Sequence, residues 1–401
     1  SKRPFLFSVQ NAKKIFRGEL PVEKLGVRSI NKTILEIDLE TIDHDFLYTL
    51  SHPLLAPIPP TTIYSLEEIR KKPSLHLSSG PYKISSWINA NKIHLESNNR
   101  YWQEHGKRPS LDVWILSEDT VALQLYEKKE LSMLRRLPTV FFDKYRGRND
   151  FFEIPQFRFD YIGFSPKLQK NIELKQALSQ SLDFAQLQKI FSAKGLPGCP
   201  GFIAPSSPGA PAPLGSNNSQ CVEFSLALAQ KKWAEYIKTN PNPNLNLIFS
   251  RLGGDDHQNG LEWMQSQWKT NLSTTITVTG IENQIFLEKI KKGEMDLFRK
   301  GINLDRPTCL AALENFTYHA PENYIGFNDK DYDTLIFQLR NSISAEKKKT
   351  LCQRALSKLI QSNSIIPTGP IHFTMLVQPQ WKNWKLNELN QLDLSLLEWK
   401  P

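Results

Sequence analysis

The chain has 401 residues, 50 Lys+Arg against 41 Asp+Glu for a formal charge of +9, 40% apolar residues and 4 Cys. That length and apolar content exclude a disulfide-held mini-protein and a disordered tail, and roughly 100–200 residues per domain allows two or three domains. No run of about 18 uninterrupted apolar residues occurs, so no membrane-spanning helix is expected.

The opening Ser1–Gln10 is basic and apolar, but its apolar part is too short for a signal-peptide core and no small-residue cleavage site follows. Leu25–Ile30 and Thr33–Leu39 read as a strand hairpin turning at Asn31-Lys32. Asp45–Leu50 is a short helical turn ended by Pro53 and the Pro57–Pro60 brake, and Leu66–Lys71 is a second short helix. A second hairpin, Tyr82–Trp87 and Lys92–Glu96, is launched by Gly80-Pro81 and turns at Asn89–Asn91. Val113–Leu116 is a strand, and Asp119 is expected to cap a helix with Val121, Leu125 and Tyr126 on one face.

Phe157–Phe164 is an aromatic-rich strand, after which Ile172–Ala193 has helical spacing through Ala177, Leu178, Leu182, Leu187, Ile190 and Phe191. From Val222 to Arg299 helix and strand signals alternate: helix 222–238, strand 245–250, helix 258–272, strand 274–279, helix 283–291, strand 295–299. This is a βαβαβ pattern, which builds a parallel sheet that binds ligands beyond the carboxyl ends of its strands. Helices 332–341 and 345–363 follow, then Ile365-Ile366-Pro367 and a terminal β portion, 376–399. Two lobes joined near residues 160 and 370 are expected, the first from 1–160 and 370–401, the second from 161–369.

Lys and Arg are scattered among acids, apart from Lys347-Lys348-Lys349 and Lys291-Lys292, which reads as a solvated basic surface and not a nucleic-acid stripe. Metal-type C-x-x-C spacing is missing, and no His has a partner at metal-ligand spacing. Cys199 and Cys221 flank a Pro/Gly/Ser/Asn-rich loop; their pairing would contribute ~3 kcal/mol by loop closure, and four free thiols are the alternative. The usual phosphate-loop, nucleophile-elbow, zinc-protease and dinucleotide motifs are absent. Asp255-Asp256-His257 offers carboxylates and an imidazole for acid/base or metal chemistry, but its place between a strand and a helix favours a helix cap. Arg299 and Asp305 stand at a strand end and in the following loop, a guanidinium for an anion and a carboxylate for a cation. They suit a zwitterionic guest; equally, they pair with each other or with Lys300 and Arg306.

Ser79–Trp87 followed by Ile93–Trp102 resembles the hairpin of the extracytoplasmic solute-binding proteins, family 5, that serve peptide ABC transporters. Tyr161–Phe164 is similar to that family's lobe-crossing strand, Lys175–Asp183 to its second-lobe helix, and Asp331–Leu335 to a later helix start. The resemblance implies an α/β fold, a two-lobed periplasmic-binding-protein-like class II clamp enclosing a short peptide between its lobes and delivering it to an ABC transporter permease in the membrane. It further implies a periplasmic or extracytoplasmic, monomeric binder without enzymatic activity, cofactor or metal.

Met295–Asp305 is similar to the family's ligand strand: Asp305 falls on the aspartate that holds the peptide α-amine, Arg299 on a basic residue of some oligopeptide binders, and Gly301, Ile302 and Asn303 on main chain that pairs with peptide. Ile302 replaces a usual Trp, Arg306-Pro307 shortens the following segment, and Ser1 aligns inside the first lobe, so that lobe's N-terminal part is missing. A non-peptide solute such as a metal chelate, sugar or haem, and a shortened remnant that binds nothing, are the alternatives on the same fold.

Overall fold

A computed structural model describes residues 6–57, 64–103, 108–183, 222–253 and 255–400. The brake beyond Pro57, the helix positions Leu187, Ile190 and Phe191, and the Cys199/Cys221 pair lie outside the described residues. The chain divides into two compact units, one of Ser1–Leu55 and Phe157–Ile371, the other of Ala56–Gln156 and His372–Pro401. The front of the chain therefore departs from the expected lobe assignment. Its reason is polar: Thr308 Oγ1 donates to Asp45 Oδ2 (2.6 Å), and Arg306 Nη1 lies 4.0 Å from the same oxygen.

In the first unit β1 (Val27–Ser29) and β2 (Leu35–Ile37) pair antiparallel as the expected hairpin, followed by helix Phe46–Leu50. In the second unit β3 (Tyr82–Ile88), β4 (Lys92–Ser97) and β5 (Leu111–Trp114) form an antiparallel sheet in that order. Asn98 Nδ2 donates to the carbonyls of Gly80 (2.8 Å) and Ser78 (3.1 Å), which fixes the turn that launches β3. Helix Leu66–Lys71 starts at a reciprocal capping box between Ser65 and Glu68. Helix Asp119–Glu127 has Glu118 at its cap position, and Asp119 instead pairs with Arg136 (2.6 Å). Its buried face is Ala122, Leu123 and Tyr126, while Val121 is exposed.

A larger sheet has the order β6-β11-β7-β10-β8-β9, from β6 (Met133–Leu134), β7 (Phe151–Phe164), β8 (Asn246–Ser250), β9 (Thr277–Ile281), β10 (Leu297–Asn303) and β11 (Ile365–Val377). Helices Asp255–Leu272 and Asn283–Lys292 connect β8, β9 and β10 as the alternating pattern predicts, and β8 pairs in parallel with both β9 and β10. Helix Asn283–Lys292 opens where the Glu282 carboxylate accepts from the amides of Gln284 and Ile285, and closes at Gly293 in the left-handed region. Helix Ile172–Gln180 is shorter than expected. Its end is claimed by helix Asp255–Leu272: Trp268 Nε1 donates to the Leu178 carbonyl (3.0 Å) and Asn271 Nδ2 to that of Ser181 (2.8 Å).

β7 alternates Arg158 and Asp160 with Phe157, Phe159 and Tyr161, and its period of two sends the aromatic set to one face. There Phe159, Tyr161, Phe298 and Phe316 pack ring against ring at centroid distances of 5.4–6.3 Å. Phe298 lies opposite Gly163, where an added Cβ would come within 2.8 Å of Ile325 and still closer to the Phe298 ring, so glycine is the residue that fits. In the second unit Met375, Val377 and Leu386 form a small core closed by Phe152 and Trp384, whose rings meet edge-on at 4.8 Å. Among the described residues no helix is long and apolar enough to cross a membrane.

Cys309 of helix Cys309–Leu313 and Cys352 of helix Ala345–Gln361 form a disulfide, with Cα atoms 6.2 Å apart across 43 residues of sequence. Loop closure of that length is worth about 4 kcal/mol. The double variant Cys309→Ala, Cys352→Ala is expected to lower unfolding free energy by roughly 2–5 kcal/mol, read as a lower urea midpoint. Lys175 is a second buried stress: its Nζ lies 3.4 Å from Gln169 Oε1 and Ser364 Oγ, and burial pushes it from 10.5 down to about 8. Folded below its unfolded value, it penalises the native state fully below about 8, and the penalty fades as pH rises toward 10.5. Stability measured by thermal melts is expected to climb across that window, and Lys175→Met to flatten the climb.

Candidate functional site

β10 is antiparallel to β7 over its whole length, with Arg299 opposite Ile162, Gly301 opposite Asp160 and Asn303 opposite Arg158. Cross-strand partners share a face, so Arg158, Asp160, Arg299, Gly301 and Asn303 stand together opposite the aromatic face. The strand runs on to Asn303 and does not close at Arg299 as the sequence suggests, because β7 continues to supply its ladder. On its other side the ladder with β8 covers only Leu297 and Phe298.

Asp160 is the centre of this face and is fully buried. Its Oδ1 accepts from Arg158 Nε (2.9 Å), and its Oδ2 accepts from Arg158 Nη2 (3.3 Å) and from Arg299 Nη2. His257 Nε2 lies 4.0 Å from Oδ2. Two guanidinium groups thus share one carboxylate, an excess of one arginine over the acids among the described side chains of this cluster. Burial pushes the Arg299 guanidinium well down, and the neighbouring Arg158 charge adds to it; burial also lowers Arg158. Arg299 is 5% exposed, and its Nε is buried without a hydrogen-bond partner among the described residues.

Gly301 is what lets this cluster form. A Cβ there would come within 2.5 Å of Arg158 Nη2 and closer still to Asp160 Oδ1, so the fork lies directly over the glycine Cα. Ile302 points the other way. Its side chain is 1% exposed, on the face shared with Phe298, so replacement of an aromatic residue there changes the core and not the charged face.

The opposite sign collects after the strand. Asp305 Oδ1 accepts from Arg306 Nε (3.2 Å), Arg306 also pairs with Glu314 and approaches Asp45, and Glu314 accepts from Arg340 Nη2 (3.0 Å). Burial alone would lower Arg306, but the charges of Glu314, Asp305 and Asp45 raise it. Three carboxylates against two guanidinium groups leave this end negative by one. Of the two readings open for Arg299 and Asp305, pairing with neighbours is the one the structure displays: Arg306 for Asp305, and for Arg299 the Asp160 that the sequence did not flag. Its signal was present in the alternation of charge and ring in Arg158-Phe159-Asp160-Tyr161.

Of the Asp255-Asp256-His257 group, only the His257 side chain is described, and it faces Asp160. No group of three His, Cys, Asp or Glu among the described residues is placed to hold a metal ion. Gly301→Ala is expected to push the Arg158/Asp160 fork off the strand and to destabilise the fold by about 1–3 kcal/mol, read as a lower thermal midpoint; an unchanged midpoint would show that the fork has room to give.

Comparison with known proteins then places the chain. The family described as "Bacterial extracellular solute-binding proteins, family 5 Middle" matches residues 5–324. The chain is 22% identical over 381 residues to the periplasmic oligopeptide-binding protein OppA of Escherichia coli, covering 91% of this chain and 68% of that protein. It is also 22% identical over 386 residues to the probable deoxycholate-binding periplasmic protein YgiS of the same organism, covering 92% and 69%. The E. coli murein tripeptide binding protein MppA superposes with a TM-score of 0.83 at 18% identity, over 98% of this chain and 78% of that one, which shows the expected α/β fold of periplasmic binding proteins. The chain belongs to family 5 of the bacterial extracellular solute-binding proteins.

Proposed function

We propose that this chain is the solute-binding component of an ABC import system, that it works outside the cytoplasmic membrane by binding and release without chemistry, and that its guest is a short peptide delivered to a membrane permease. The observation that carries this is the charge arrangement along one strand. A positive cluster at Arg158 and Arg299 and a negative cluster around Asp305 bracket β10, whose β8-side ladder ends at Phe298. At ~3.3 Å per residue the six steps from Arg299 to Asp305 span at most about 20 Å, a scale that suits an extended short peptide.

In this reading the guest lies along Gly301, Ile302 and Asn303 and pairs with their main chain, an interaction blind to side-chain identity. Asp305 receives the α-amine at the negative end, and Arg299 with Arg158 keeps the other end positive. The names of relatives point the same way, an oligopeptide binder and a murein tripeptide binder. A non-peptide guest is the second reading, favoured by the relative named for deoxycholate; the Ile302 side chain is buried and gives it no support.

Calorimetric titration with a mixture of short peptides is the test. Heat with micromolar or tighter affinity is expected; heat with deoxycholate alone would move the assignment to the second reading, and no heat with either would leave a non-binding remnant. Asp305→Asn is expected to weaken free-amine peptides about tenfold or more, the worth of a charge-assisted hydrogen bond, while N-acetylated peptides change little. Equal loss for both would remove the amine from Asp305.

A further inference from the structure

Asp160 has no place in a peptide site as so far described, yet it is the best-held charge on the ligand face. It is fully buried, takes three hydrogen bonds from two arginines, and lies opposite the glycine of the strand proposed to carry the guest. Those are the bonds that a guest's terminal carboxylate would make with the same two guanidinium groups. Arg299 Nη2 is already engaged, and Arg299 Nε, which has no hydrogen-bond partner among the described residues, is sealed from solvent. An incoming carboxylate therefore meets an arginine whose counter-charge is built into the chain.

We propose that Asp160 is a specificity-determining residue, an internal stand-in for the guest's C-terminal carboxylate, so that this protein selects its peptides by the amine end and accepts them whether or not the other end carries a free acid. This rests on the peptide reading above. It predicts a guest class wider than zwitterions of one length: longer peptides and peptides blocked at the C-terminus bind as well as short free acids. Electrostatics make the role reversible, because Asp160→Asn leaves two guanidinium groups facing each other without a counter-charge, and an external carboxylate then becomes their natural partner.

The experiment is a calorimetric comparison of tri-, tetra- and pentaalanine as free acids and as C-terminal amides, on the wild-type chain and on Asp160→Asn checked for folding by circular dichroism. Wild type is expected to bind each acid and amide within about twofold, and Asp160→Asn to prefer the acid by about tenfold or more. A wild-type preference for the acid of tenfold, or a folded Asp160→Asn that binds both alike, overturns the proposal. Should Asp160→Asn fail to fold, Arg299→Gln decides: equal loss for acid and amide supports the internal partner, and loss confined to the acid overturns it. Wild type that binds neither form of any of these peptides, nor the mixed peptides, defeats the peptide reading itself, and this proposal with it.

Discussion

A carboxylate sealed from solvent and shared by two guanidinium groups, Arg299 buried and Arg158 half-buried, is the constraint on which the pairing of β7 with β10 depends. Removing charges from water is expensive, and a buried ion pair is tolerated only when its geometry satisfies most of the hydrogen bonds lost. Asp160 meets that condition by accepting from Arg158 and Arg299 together, while Arg299 Nε has no hydrogen-bond partner among the described residues and burial holds that guanidinium's pKa well down.

The cluster stays in place because of what lies behind it. Phe159 and Tyr161 alternate with Arg158 and Asp160, and their rings pack with Phe298 and Phe316 on the reverse of the same sheet, so sliding β7 by one residue would set Arg158 and Asp160 among those rings and away from Arg299. Gly163 and Gly301 serve the two faces in turn, one making room for the Phe298 ring and the other for the Arg158/Asp160 fork. On the far side of β10 the chain turns into Asp305 and Arg306, where Asp45, from the front of the sequence, joins the acids around Arg306. A contact between residues 45 and 306 also explains why the first 55 residues group with this unit.

Much of the architecture was legible in the sequence because local signals and tertiary needs agreed there. The strand and helix alternation from 245 to 299, the two hairpins and the short helix 66–71 all rest on periodicity and turn chemistry that act within a few residues. What was missed is what only tertiary contact decides. The helix expected to run to Ala193 ends at Gln180, where Trp268 and Asn271 claim its last carbonyls; Asp119 is drawn to Arg136 instead of capping; Cys309 finds Cys352 across 43 residues. At the candidate site, spacing marked Arg299 near a strand end and Asp305 in the loop that follows, but their partners lie on β7 and in the next residue of the loop, and no spacing rule reaches Asp160 from Arg299.

The chain belongs to the extracellular solute-binding family, and the binding site proposed here lies along β10 between the clusters at Arg299 and Asp305. Hydrogen–deuterium exchange on the intact chain, with and without a saturating mixture of short peptides, addresses that location directly. Slowed exchange in the segment Leu297–Asp305, with helix Ala345–Gln361 as an unaffected reference, is the expected result. Exchange in that segment that stays unchanged while peptide is demonstrably bound would put the guest elsewhere and contradict binding along β10.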